Sequence, residues 1–230
     1  MIKEDTVSID HSRELDNLYT LARRAKQEGN SENAEKYYSQ IVELSPNDPE
    51  AYFYSVYYQV SNCKIGEIGS AATRLKAVFN STVQILKDNG IISNGNTDEL
   101  VPFGNAVIDL AHNLSENAYN HYINNVHVSG IREETDIWIS KCVNAVCAVG
   151  DAFYNLNDKK NAATCYKKAD SVFIGQGRFR IDSLAINRIQ EVEPDYEHIN
   201  NTTNSGCLTV IAIIMGVAIT CIGLGSMISF

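Results

Sequence analysis

Apolar residues return at every third or fourth position through most of the chain, the spacing that places one buried stripe on an α-helix. The first run carries Leu15, Leu18, Tyr19, Leu21, Ala22 and Ala25. Asp10 or Ser12 can cap its start, and Gly29-Asn30 supplies a left-handed stop after Glu28. Ser31 is placed to cap a second helix with Ala34, Tyr37, Tyr38, Ile41, Val42 and Leu44 on its buried side, ended by Pro46. Asp48-Pro49 joins a capping residue to a proline at the first helical position. A third helix therefore runs from Glu50 to about Val60.

The same reasoning predicts helices over Glu67 to Asp88, from Asp98 or Phe103 to Asn125, over Glu134 to Leu156, over Lys159 to Phe173 and over Arg180 to Glu191. Asn89-Gly90, the polar stretch 91–97, residues 128–133 around Gly130, Asn157-Asp158, and Gly175 with Gly177 separate them. No segment alternates in the manner of a strand, so the fold class is all-α.

From Cys207 to Phe230 the pattern changes. The segment carries no charged residue and no polar face. As a helix rising about 1.5 Å per residue it would cross the roughly 30 Å core of a bilayer. The expected organisation is a helical domain over 1–191, a polar linker over 192–206 and a transmembrane helix over 207–230. Ala212, Gly216 and Gly223 are small residues through which such helices pack, so a homo-oligomer formed by the tail is one expectation. With no apolar run in Met1 to Asp10, the body is expected on the cytoplasmic side of a single-pass anchor.

Composition narrows the function classes. A net charge of -9 over 230 residues disfavours a phosphate-backbone partner, so nucleic acid is not expected. Six cysteines occur without a C-x-x-C pair, and Cys142, Cys147 and Cys165 fall in apolar helical patterns, the usage of buried reduced thiols. Asp109, His112 and Glu116 share a helix face, but only histidine among them is a strong ligand type, so no metal or other cofactor is assigned. No base stands near a candidate nucleophile and no phosphate loop follows a strand, so no catalytic residue is assigned.

The segment Leu15 to Asp48 resembles one tetratricopeptide repeat, a helix-turn-helix unit. Leu18, Leu21 and Ala22 fill its early packing positions, Gly29 its turn, Ala34 and Tyr38 its A-x-x-x-Y pair, and Pro46 closes it. A second copy over about Asn144 to Gly175 repeats the pair as Ala162 and Tyr166, with Ala148, Ala152 and Ala169 around it, and has Ile174 where the closing proline would stand. Residues 63–130 follow no such pattern. The stretch from Ser12 to Tyr54 is also similar to bacterial proteins of this family.

The resemblance implies a helical-hairpin array, or α-solenoid, that binds a protein or peptide on the face lined by the first helix of each unit. By position that face includes Tyr19, Arg23 and Lys26, and Phe53 and Tyr57 on the adjoining helix. Tyr19 and Arg23 stand where some members carry a Lys/Asn clamp for a C-terminal carboxylate, so that clamp is not expected. Five rings crowd Tyr52 to Tyr58 and cannot all face one way, so some are core and at least one is expected to be accessible. Arg23 and Arg24 are expected to lie on a solvated face beside Glu28 or Glu14. The favoured reading is a membrane-tethered scaffold or adaptor. The alternative is an oligomer whose Gly-rich tail perturbs or permeates the bilayer.

Overall fold

The computed structural model describes residues 2–174 and 183–196. The described part is all-helical: α1 (Ile2–Gln27), α2 (Ser31–Leu44), α3 (Pro49–Ser61), α4 (Ile68–Asp88), α5 (Val101–Asn124), α6 (Ile131–Asn155), α7 (Lys159–Ile174) and α8 (Ser183–Val192). Short 3-10 turns at Ile65–Glu67 and Asp98–Leu100 lead into α4 and α5. The one β pairing among the described residues is an isolated bridge between Ser93 and Asn96.

The helix ends follow local chemistry. Gly29 (φ +69°) and Asn157 (φ +62°) take the left-handed conformation that ends α1 and closes the turn after α6. The Asn30 side chain, rather than Ser31, caps α2 by accepting from the Asn33 N–H at 3.1 Å, and Asp48 caps α3 by accepting from Ala51 at 2.8 Å. α1 begins earlier than Asp10. No proline or glycine interrupts residues 2–27, so the helix propagates past the point where its apolar stripe begins.

Each helix packs on the next, and the next-but-one contacts are α3 on α5, α5 on α7, α4 on α6 and α6 on α8. This is the packing of two layers, with α1, α3, α5 and α7 in one and α2, α4, α6 and α8 in the other. α6 is the central element, touching α4, α5, α7 and α8. Small residues allow these approaches. A Cβ on Gly69 would lie 2.7 Å from the Trp138 ring, and one on Gly104 would lie 2.8 Å from Val149. The core runs through both layers, with Tyr38, Phe53, Phe79, Leu75, Ile139 and Tyr166 among its fully buried side chains.

The described residues up to Tyr196 belong to one compact unit. Residues 193–196, expected as linker, fold back onto α7. The Tyr196 hydroxyl donates to Asp170 Oδ2 at 2.8 Å, and Lys167 pairs with Glu193 at 2.6 Å. None of the described helices is long and apolar enough to cross a membrane. The expected span 207–230, with Ala212, Gly216 and Gly223, lies outside the described residues.

Candidate functional site

Glu50, at the start of α3, organises the surface where α1 meets α3. Its carboxylate accepts two hydrogen bonds from Arg23, from Nε at 3.1 Å and from Nη2 at 2.6 Å. It accepts a third from the Tyr38 hydroxyl at 2.9 Å. Burial raises the Glu50 carboxyl, but the bonds from Arg23 and Tyr38 and the charges of Arg23 and Lys26 outweigh it and hold the group below the usual carboxylate value. Burial and the adjacent carboxylate push the Tyr38 phenol well above its ordinary range.

Two cations lie on aromatic faces beside this cluster. The Arg23 guanidinium sits 4.8 Å from the Tyr19 ring centre, and Lys26 Nζ sits 3.5 Å from that of Tyr54. Burial lowers the Lys26 ammonium pKa. Burial and a hydrogen bond with Asp48 push the Tyr19 phenol far up. Arg24 pairs with Glu28 at 2.8 Å, the local pairing the sequence suggests. Arg23 instead reaches across to Glu50 on another helix, so its charge is met there and not by Glu28 or Glu14.

The aromatic run divides as its crowding requires. Tyr52 and Tyr57 are half-buried, while Phe53, Tyr54 and Tyr58 are buried. Phe53 is a correction to the expected groove: it is 0% exposed and packs edge-on against Phe103 at 5.1 Å, so it supports the surface from beneath. Residue 53 points inward because α3 is covered on that side by α5. Tyr57 carries the surface onward. It lies 5.7 Å from Tyr54 between ring centres, and its phenol is raised by burial and by the charge of Asp109 on α5. Tyr19, Arg23, Lys26, Tyr54 and Tyr57 thus form one strip running from α1 across α3 towards α5.

The second hairpin repeats this arrangement with the charges exchanged. In the register that sets Ala34 and Tyr38 against Ala162 and Tyr166, Gly29 meets Asn157, Asn30 meets Asp158 and Arg23 meets Asp151. Asp158 caps α7 by accepting from the Asn161 N–H at 3.1 Å. The Tyr166 hydroxyl donates to Asp151 Oδ1 at 2.8 Å, and Arg188 Nε on α8 lies 3.2 Å from that oxygen. Each repeat tyrosine therefore donates to a carboxylate that also pairs with an arginine. The acid comes from the following helix in one copy and from the first helix in the other. Sequence reasoning missed both networks, although the shared register was readable.

Sequence reasoning also missed a cleft between α5 and α7. His112 lies in it, and a carbonyl can only accept, so the histidine donates Nε2–H to the Lys168 carbonyl at 3.2 Å. Among the described residues, no group of three or more His, Cys, Asp or Glu side chains is placed to hold a metal ion. Cys142, Cys147 and Cys165 are buried, and burial pushes the thiols of Cys142 and Cys165 up to about 12.

No curated protein matches the sequence of this chain. The tetratricopeptide repeat family model matches residues 15–48 and 143–172. These segments fall on α1–α2 and on α6–α7, the hairpins that share the turn, cap and tyrosine register. The chain therefore carries two tetratricopeptide-repeat segments, of the kind that generally mediate protein–protein interaction, separated by the three helices α3, α4 and α5.

Proposed function

We propose that the chain is a non-catalytic scaffold that holds a segment of a partner protein and presents it at a membrane on residues 207–230. The observation that carries the reading is the strip Tyr19, Arg23, Lys26, Tyr54 and Tyr57. Its rings and cations lie side by side across two helices of one layer, beside a repeat segment of an interaction family. The half-buried phenols of Tyr19 and Tyr57, with apolar bodies and polar tips and flanked by arginine and lysine, suit a protein surface better than a small molecule. Anchoring raises the partner's effective concentration at the bilayer and needs no chemistry on it.

The test is site-specific photo-crosslinking in cells with the full chain. A crosslinker at position 19 or 57 should give a discrete protein adduct, and one at the exposed Lys36 on α2 should not. Equal labelling from all three positions, or none from 19 and 57, would count against the reading. Carbonate extraction of the full chain beside a chain ending at Asn204 tests the anchor: only the full chain should stay with the membrane.

A further inference from the structure

α5 and α7 each turn one stripe towards the cleft between them. On α5 the stripe is Asn105, Ile108 and His112; on α7 it is Asn161, Thr164 and Lys168. Spacings of three and four put each set on one helix face. The floor is apolar, formed by Phe153 with Ile108. The rim is amide, hydroxyl and ammonium.

We propose that this cleft binds an extended peptide segment, with an aliphatic side chain on the Ile108–Phe153 floor and a carboxylate on Lys168. The proposal rests on the scaffold reading and assigns it a second contact region, on α5 and α7. The rim argues for an extended chain. A helical ligand satisfies its own backbone and wants a purely apolar groove, whereas an extended backbone has N–H and C=O groups that side-chain amides pair with. Asn105 offers both donors and acceptor. Asn161 gives a donor to Asp158 and keeps its carbonyl oxygen for a ligand N–H.

Length and charge agree. From Val101 to Asn113, α5 rises about 18 Å, room for roughly five extended residues. Among the described residues, no carboxylate forms an ion pair with Lys168. Asp109 in the same depression, facing Tyr57, repels a second ligand carboxylate and confines the acidic residue to the α7 side. The cleft lies further along the layer of α1 and α3, beyond the strip that ends at Tyr57. α5 is covered by neither repeat match and α7 is the second helix of its hairpin.

Selection from a displayed random-peptide library against the full chain in non-ionic detergent tests this. Selected peptides should share one aliphatic and one acidic position. Their affinity should fall about tenfold or more with Lys168→Glu, as for a lost charged hydrogen bond, fall less with Asn105→Ala, and stay unchanged with Lys36→Ala on the exposed side of α2. Replacing the peptide's acid by lysine should restore binding to the Lys168→Glu chain. Both substitutions are at the cleft surface, and thermal melts confirm that each variant folds. Peptides insensitive to the two cleft substitutions but lost with Lys26→Ala would overturn this site and leave the scaffold reading standing. An absence of selectable peptides would overturn both.

Discussion

Arg23 and Asp151 stand at the same position of the two hairpins, carry opposite charges, and each pairs with an opposite charge on a helix that follows its own hairpin. The shared feature is the tyrosine hydroxyl, which donates to whichever residue supplies the carboxylate. A carboxylate that accepts from a phenol and pairs with a guanidinium ties three helices together, and either the first or the following helix can provide it.

Glu50→Gln should therefore destabilise the fold. It leaves Arg23 and Tyr38 with a weaker, neutral acceptor at a half-buried site, a loss of about 1–2 kcal/mol by comparison with other hydrogen bonds to charged groups. Urea unfolding of the two chains measures it, and Arg24→Gln, on an exposed i, i+4 pair, should change little.

The same pair should show a pH signature. The folded Glu50 carboxyl lies below its ordinary value of 4.5. A depressed carboxyl adds stability that is fully present above the unfolded value and is lost as pH falls through the folded one. The stability gap between the wild-type chain and Glu50→Gln should hold constant from about pH 7 to about pH 5 and close below that. A gap that widens in acid would contradict the assignment.

Gly150→Ala should be costly even though alanine is the better helix former by about 1 kcal/mol. The added methyl would enter the space of the Tyr166 ring. The expected net loss is about 1–3 kcal/mol, as for other overpacked core sites. Gly150→Ala combined with Tyr166→Leu should recover part of it, and thermal melts of the three variants read this directly.

Asp158→Ala should loosen two elements at once. Asp158 caps α7 and also accepts from the Thr97 hydroxyl at 2.7 Å, docking the loop before α5, where the Gly95 N–H bonds to the Leu156 carbonyl at 2.8 Å. Loss of the cap is expected to cost about 1 kcal/mol. Amide hydrogen exchange should accelerate at Gly95 and in the first turn of α7, and not in α2.

Cysteine reactivity should separate by burial. Iodoacetamide at mildly alkaline pH should label Cys63, which is half-buried, before Cys142 or Cys165, whose thiols burial holds near 12. Peptide mapping after a short exposure gives the order.

What the sequence by itself determined is local. The helix of Lys159 onward, the left-handed turns at Gly29 and Asn157, the cap and proline at Asp48-Pro49, and the tyrosine register of the two hairpins all depend on groups within a few residues of one another. Such interactions are written in spacing, so they can be read from it. The tertiary structure decided the rest. Arg23 binds Glu50 and not Glu28, Phe53 turns inward under α5, and His112 meets Lys168, because helix crossings bring together positions far apart in the chain. Those crossings turn on where a glycine admits a large ring, as Gly69 admits Trp138. The odd number of helices between the repeats then sets α6 in the layer of α2 and not of α1. Helical periodicity specifies which residues share a stripe, but close packing between helices selects the partner each stripe meets.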